Sequence, residues 1–348
     1  MLSKITSVED ATNLSQLSIL RKEAERILRV LISAGTMASQ VCRIVSEFND
    51  KVVRRVIQFA ENVSGPSPCT FAWLGLGSEG RQEQTLFTDQ DNAIIFDDCP
   101  SKGSQEYFKH LSEKIVNDIN ECGIPQCRGN VMATNPHFFG NLHQWKERME
   151  GWINKNDLSE SELMDVYVFL DFRSIHGDYI LEKELRQCTN ELIVNNLSFL
   201  RSLAENIVSI PTPTGFFRDF IVEKKGKYKD RLNIKLYGLI PLITCIKILS
   251  VQNGLMETNT LERIEGLAQK GILPADHKEA LKQAFETLLN LKIQNNISHS
   301  DQGRDFGNYV NPANLSLQQR QILKEAFQAV SSLQKKTKEA LKIEEQWF

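Results

Sequence analysis

The chain has 348 residues, of which 41% are hydrophobic and 24% are charged, a composition that can support a substantial folded core. Its formal net charge of −3 gives no reason to expect a global attraction to nucleic acid or to an anionic membrane. No apolar run approaches the roughly 20 residues of a membrane span, and the first residues lack the apolar stretch of a secretion signal. We therefore expect a cytoplasmic protein with no membrane partner.

The N-terminal part of the chain is predicted to be helical. Apolar residues recur every three or four positions through residues 14–63, which is the spacing of amphipathic helices. Gly35 is expected to divide this stretch into two helices, and the turn-forming residues 64–68 are expected to end it. The sequence thus predicts an N-terminal helical segment at residues 1–63.

A small α/β unit is predicted next, at residues 64–180. Two short apolar stretches, residues 70–75 and 92–96, have the length and composition of buried strands. An amphipathic helix is predicted at residues 104–122, and a third strand at residues 130–134.

Helical patterns return in the last part of the chain. Ser159 or Ser161 is placed to cap a first helix. Further patterns fall at about 178–208, 233–252, 258–270, 275–296 and 316–343. The predicted fold class is therefore α+β, with a small mixed sheet between the N-terminal helical segment and a C-terminal helical bundle at residues 181–348.

Two aspartates stand where the second strand begins. Asp89 and Asp91 are two positions apart, and in an extended chain this spacing puts both carboxylates on one face, roughly 6.5–7 Å apart. Magnesium favours one or two carboxylates together with water and phosphate oxygens. Two such ions can hold the attacking and leaving oxygens of a phosphoryl displacement. We predict that Asp89 and Asp91 are metal ligands for Mg²⁺, or Mn²⁺, and are catalytic.

A glycine-rich turn precedes the two aspartates. Gly77 and Gly80 allow the backbone to approach a ligand closely, and N–H groups at such a turn bind phosphate. The Ser78 hydroxyl can add a hydrogen bond, and Arg81 is suited to charge-assisted phosphate contacts. We predict that Gly77, Ser78 and Arg81 bind a nucleotide.

The same glycines also satisfy a dinucleotide-binding pattern. Gly75, Gly77 and Gly80 match G-x-G-x-x-G, and Asp97 follows at about the required distance. That fold needs a long amphipathic helix directly after the glycines, but only eight residues separate Gly80 from Asp89. A purely structural turn is a further alternative, because glycine and aspartate often only make turns.

The motif Gly-Ser-x-Gly-Arg-x-Glu-Gln-Thr, followed by Thr-Asp-Gln-Asp-Asn-Ala, resembles a known family. It is the nucleotidyltransferase family often joined to CBS-pair and cyclic-nucleotide-binding modules, in the DNA polymerase beta-like nucleotidyltransferase superfamily. PII-protein uridylyltransferase and glutamine-synthetase adenylyltransferase are related to it. Later segments continue the resemblance over nearly the whole chain: residues 125–135, 145–152, 171–178 and 233–238.

The resemblance implies a function and a site. Gly77 and Ser78 would hold the triphosphate of an NTP such as ATP or UTP, and Asp89 and Asp91 would hold the metals. A nucleoside monophosphate would be moved to an acceptor, which is expected to be a hydroxyl on a partner protein in a signalling context.

A third carboxylate is common in this superfamily, but the predicted strand at residues 130–134 contains no acid. Asp171 is the best substitute, and we predict that it is the third catalytic carboxylate. Two alternatives stay open: Asp171 pairs with the nearby Arg173, or it caps the next helix.

A basic segment lies in the C-terminal part. Residues 218–235 contain seven Lys or Arg and three acids. Lys235, which begins an apolar helix, is predicted to bind the nucleotide, although the segment could instead face an acidic acceptor or form a solvated loop.

Two other functions remain open from the sequence: a nucleotide-binding regulatory module without turnover, and a polymerase-type transferase. The acidic net charge and the lack of interleaved basic and aromatic residues count against the latter, so no nucleic-acid partner is expected. The sequence also allows a homo-oligomer.

Overall fold

The computed structural model describes residues 7–98, 103–155, 157–194, 196–213, 220–302 and 307–344. The chain forms two compact units: one holds Met1–Thr36 and Gln40–Leu192, and the other holds Met37–Ser39 and Ile193–Phe348. The N-terminal helices therefore belong to the same unit as the small sheet. The three-part division predicted from the sequence stays a prediction.

Two long helices open the first unit, as predicted. Helix α1 is Leu14–Ser33 and helix α2 is Ala38–Ser64. The Asn13 side chain accepts a hydrogen bond from Gln16 N–H and caps α1. Gly35 lies between the helices with φ +83°, a backbone conformation that favours glycine.

A four-stranded mixed sheet forms the centre of this unit. Its strands are β1 (Phe71–Gly75), β2 (Asn92–Phe96), β3 (Phe139–Asn141) and β4 (Arg173–Gly177), in the order β3-β2-β1-β4. Strand β1 is antiparallel to both β2 and β4, whereas β3 is parallel to β2. The predicted α+β class with a small mixed sheet is confirmed.

The strand predicted at residues 130–134 is wrong. Asn130 has φ +56°, which interrupts an extended chain. Met132 and Ala133 are buried in the hydrophobic core. The segment is hydrogen-bonded to β2 at Asn92, whose N–H donates to the Val131 carbonyl at 3.1 Å and whose side chain accepts from Ala133 N–H at 2.9 Å. The apolar residues here serve core packing, and the neighbour of β2 is β3.

Helices cover the sheet. A short helical turn, α3, is Gly77–Gly80, and the longer helices are α4 (Ser104–Glu121), α5 (Leu142–Ile153) and α6 (Glu160–Phe169). Helix α4 was predicted, and its Phe108 ring stacks on Phe96 of β2 with centroids 4.4 Å apart. Ser159 caps α6 in a capping box with Glu162, as its position in the sequence indicated.

The second unit is mainly helical. Helix α7 (Tyr179–Val194) spans the boundary, and the unit continues with α8 (Leu197–Val208), α9 (Ile240–Gln252), α10 (Thr260–Gln269), α11 (Ala275–Asp301) and α12 (Leu317–Leu341). A π-helical segment, Lys235–Leu239, precedes α9, and a short antiparallel pair joins β5 (Leu232–Asn233) to β6 (Tyr309–Val310).

One helical segment of the described chain, Lys235–Gln252, is long and apolar enough to cross a membrane by length and composition alone. It is 67% buried within the structure, and buried core helices of soluble proteins have the same character.

Candidate active site

The glycine turn and the second aspartate are adjacent in space. Strand β1 leads directly into the turn, and Leu76 N–H donates to the Asp91 carbonyl at 2.8 Å. Gly77 has φ +49°, and a Cβ built on it would lie 3.2 Å from Oδ2 of Asp91. A methyl group at Gly77 would therefore press on this carboxylate more tightly than an ordinary van der Waals contact.

Asp89 and Asp91 precede β2 immediately, with Asp89 exposed and Asp91 half-buried. The pKa of the nearby Cys127 thiol is affected by both carboxylates. Burial raises the pKa of Cys127, and the charge of Asp91, a hydrogen bond to that carboxylate and the charge of Asp89 raise it further, to about 11. The thiol thus lies within electrostatic reach of both carboxylates.

The segment that contains Cys127 is attached to the same part of the sheet. Gln90 N–H donates to the Pro125 carbonyl at 2.9 Å, and the Gln90 side chain donates to the carbonyls of Val116 and Ile124. Because Gln90 lies between the two aspartates, these bonds fix the backbone from which both carboxylates project.

The two carboxylates suit a magnesium ion. No group of three or more His, Cys, Asp or Glu that could hold a metal occurs in the described part of the chain. Magnesium needs only one or two carboxylates when phosphate oxygens and water complete its shell. Asp89 and Asp91 are donors of that type, and the backbone of the turn at Gly77 lies directly beside the carboxylate of Asp91.

Ser78 is half-buried at the start of the turn. Its carbonyl accepts from Glu83 N–H at 2.8 Å, whereas its hydroxyl has no hydrogen-bond partner among the residues that the structure describes. The first N–H groups of a helical turn have no acceptor within it. This part of the turn therefore retains donors for a ligand.

Arg81 is largely buried and is paired with two carboxylates. It donates to Glu83 and to Asp171, with N–O distances of 2.6 Å in each case. Burial alone would lower the pKa of Arg81, but the charges of the two carboxylates outweigh burial and raise it. These ion pairs indicate that Arg81 holds the turn in place. They do not favour the phosphate contact that the sequence predicted for it.

Asp171 is fully buried, and its Oδ2 accepts from Arg81. Its backbone carbonyl packs on the turn so closely that a Cβ at Gly80 would lie 1.8 Å from the oxygen. The partner is Arg81 and not the neighbouring Arg173 that the sequence offered. This geometry favours positioning of the turn by Asp171 over its predicted direct role as a third catalytic carboxylate.

Lys235 lies in the second unit. It is exposed and is the first residue of the π-helical segment. Its predicted contact with the nucleotide stays a prediction.

Sequence reasoning missed Glu79. This residue is buried, and its carboxylate accepts a hydrogen bond from the backbone of Asp91. Burial raises the pKa of Glu79 well above its ordinary value, as do the nearby charges of Asp50 and Asp91. A Cβ at Gly75 would lie 2.8 Å from Cγ of Glu79. Glycine four positions before a glutamate was the available signal for this packing.

Sequence reasoning also missed the pair of Asp50 and Arg173. Arg173 donates to both carboxylate oxygens of Asp50, at 2.9 Å and 3.0 Å. The same guanidinium donates to the carbonyls of Glu79 and Gly80, at 3.1 Å and 3.3 Å. The pair therefore connects helix α2 and strand β4 to the backbone of the turn. The signal was an acid, Asp50, one helical turn from the buried Val53.

Comparisons with known protein families match both halves of the chain. The family model described as Putative nucleotidyltransferase DUF294 matches residues 22–159. The model described as Putative nucleotidyltransferase substrate binding domain matches residues 198–341. A search of curated proteins finds no match.

Proposed function

Because the chain belongs to the nucleotidyltransferase family whose two domain models match it, we propose that it moves a nucleoside monophosphate from an NTP to a hydroxyl on an acceptor protein. The observation that supports this most directly is the 3.2 Å separation between a Cβ position at Gly77 and Oδ2 of Asp91. It gives the site a backbone turn for phosphate beside a carboxylate for metal.

In this proposal the backbone of Gly77 and the hydroxyl of Ser78 hold the triphosphate. Asp89 and Asp91 hold Mg²⁺, which when bound would draw charge from the phosphate oxygens. An acceptor hydroxyl attacks the α-phosphorus, the bond to the β-phosphate bridging oxygen breaks, and pyrophosphate leaves as the hydroxyl proton passes to water. Arg81, Asp171, Arg173 and Asp50 keep the turn in place.

The proposal also covers the acceptor protein, the metal ion and the cellular role. The second family model is described as substrate binding, which supports placing recognition of the acceptor in residues 198–341. The sequence resemblance implies a role in signalling by protein modification, and the cytoplasmic setting is the expectation drawn from the sequence itself.

One observation favours a second function, nucleotide binding without turnover. Asp171, the predicted third carboxylate, is buried in an ion pair with Arg81. If the reaction requires a third acid at the metals, the site would bind an NTP and leave it intact.

A pair of measurements separates the two functions. The first is NTP binding to the chain. The second is turnover with Mg²⁺ in the presence of host lysate, measured as pyrophosphate release and as transfer of label from a radiolabelled NTP to an acceptor protein. We expect wild type to label a protein band and Asp89→Asn to lose it. Asp157→Asn is the matched control, because Asp157 is an exposed acid of the same unit. A band that persists in Asp89→Asn contradicts the assignment, and binding without release with any NTP favours the second function.

A further inference from the structure

A compact basic loop stands out on the second unit. The loop, residues 223–231, contains five cationic and two acidic side chains, a net charge of +3 in a chain whose total is −3. Lys224, Lys225, Lys227 and Lys229 are all exposed. None of these four lysines forms an ion pair with a residue of the described ranges. The positive charge of this loop is therefore available to a partner.

The basic loop is held in one shape by hydrogen bonds at its base and by a pair of stacked rings. Glu223 N–H donates to the Arg231 carbonyl at 2.9 Å, and Asp230 N–H donates to the Glu223 carbonyl at 2.8 Å. The Tyr228 ring stacks on Tyr309 with centroids 3.8 Å apart and planes within 2°. The chain then continues into β5, which pairs with β6. A loop fixed at its base loses less conformational freedom when it binds.

We propose that this basic loop binds an acidic segment of the acceptor protein. The inference rests on the proposed function, because it supplies the docking site for the protein whose hydroxyl receives the nucleotide. The chemical match is simple: four exposed ammonium groups on a short, anchored loop fit several carboxylates spaced along an extended peptide. Such contacts contribute specificity and association rate more than affinity.

The same features disfavour a nucleic acid as the partner. Single-stranded nucleic acids use free aromatic faces on which bases stack, along a basic groove that follows the backbone. Here the two tyrosine rings face one another, and Nζ of Lys227 lies 5.6 Å from the Tyr228 centroid. The acidic remainder of the chain would repel a long polyanion.

The test is binding of a fluorescent peptide to the full chain without any nucleotide. The peptide consists of glutamates around one tyrosine, and the reference peptide has glutamines in place of the glutamates. The variant Lys224→Gln/Lys225→Gln/Lys229→Gln removes three charges from the loop. The control variant Lys270→Gln/Lys335→Gln/Lys342→Gln removes three exposed charges elsewhere in the same unit.

We expect wild type to bind the glutamate peptide and not the glutamine peptide, with affinity that falls as salt is added. The loop variant should bind about tenfold more weakly, as the loss of three exposed charge pairs implies. The control variant should keep wild-type affinity. Equal losses in both variants, or no loss in the loop variant, would overturn the proposal. Tighter binding of a single-stranded oligonucleotide than of the peptide at the same salt would also overturn it.

This experiment separates the inference from the proposed function. Asp89→Asn should lose pyrophosphate release and still bind the glutamate peptide, because the loop is unchanged. If the peptide binds as expected while no NTP is turned over, the proposed transfer fails and the docking surface stands. If labelling of an acceptor depends on Asp89 but not on the loop lysines, the docking surface fails and the transfer stands.

Discussion

Asp50 and Arg173 form a bidentate ion pair that joins helix α2 to strand β4, with N–O distances of 2.9 Å and 3.0 Å. The Asp50 side chain is only 4% exposed. Since Arg173 also donates to the carbonyls of Glu79 and Gly80, one guanidinium connects helix α2 to the glycine turn. Helix α2 thus contributes directly to the shape of the candidate site.

Removing the guanidinium should destabilise the protein strongly. Arg173→Met leaves Asp50 buried without its bidentate partner, which we expect to lower the free energy of unfolding by about 3 kcal/mol. Arg43→Met is the control, because Arg43 and Glu47 on the same helix are each more than half exposed and 3.8 Å apart. It should change stability by less than about 0.5 kcal/mol. Urea denaturation measures both, and similar losses would contradict a special role for Arg173.

Gly80 tests the packing of the turn against Asp171. A Cβ at Gly80 would lie 1.8 Å from the Asp171 carbonyl oxygen, so Gly80→Ala must displace the backbone. We expect a loss of roughly 3 kcal/mol, from the upper range for overpacking a buried position. Gly151 lies within helix α5 with nothing within 4 Å of its Cβ position. Gly151→Ala should therefore raise stability by about 0.5–1 kcal/mol. Thermal or urea unfolding would show these opposite signs, and a stable Gly80→Ala would mean that the contact is absent.

The sequence predicted elements that depend on local pattern. The periodicity of residues 14–63 predicted α1 and α2, and the short apolar stretches predicted β1 and β2, because these patterns reflect burial of one face or of a whole strand. The apolar stretch at residues 130–134 misled the same reasoning. Burial explains its composition, but Asn130 at φ +56° prevents the strand.

The sequence could not predict the partners of the charged residues. Arg81 pairs with Asp171 across 90 positions of the chain, and Arg173 pairs with Asp50 across 123. Proximity in the chain favoured a pairing of Asp171 with Arg173, yet each takes a distant partner. Strand β4 brings this about, because it pairs with β1 and sets Arg173 opposite Gly75. Its mixed sequence, Arg-Ser-Ile-His-Gly, gave no alternating pattern from which the strand could be predicted.

His176 on β4 should make stability depend on pH. Burial lowers the pKa of His176 below its ordinary value of 6.5, although Glu61, 3.4 Å away, acts in the opposite direction. The unfolded chain therefore takes up this proton at a higher pH than the folded protein does. Stability should be full above pH 6.5 and should fall as the pH decreases from there to the lower pKa of the folded state. Urea unfolding at a series of pH values measures this slope.

The His176→Gln variant should lose that slope, because no imidazole is left at this position on β4 to titrate. His110→Gln, which replaces an exposed histidine on α4, should retain it. An unchanged slope in His176→Gln would assign the pH dependence to another group.

A comparison of Gly77→Ala with Gly35→Ala distinguishes the cost of backbone strain from the loss of nucleotide binding. Gly77 and Gly35 both have positive φ, +49° and +83°, so alanine at either position should cost about 1–2 kcal/mol of stability. The surroundings differ: a Cβ at Gly77 would lie 3.2 Å from Oδ2 of Asp91, whereas at Gly35 nothing lies within 4 Å. In Gly77→Ala the methyl group occupies the space beside the carboxylate where the proposal puts the triphosphate. Because a displacement of about 1 Å in a reacting group can reduce turnover a hundredfold, we expect a loss of that order in pyrophosphate release. Gly35→Ala should release pyrophosphate at the wild-type rate at a temperature where both variants are folded. Equal rates in the two variants would mean that the turn at Gly77 does not contact the nucleotide.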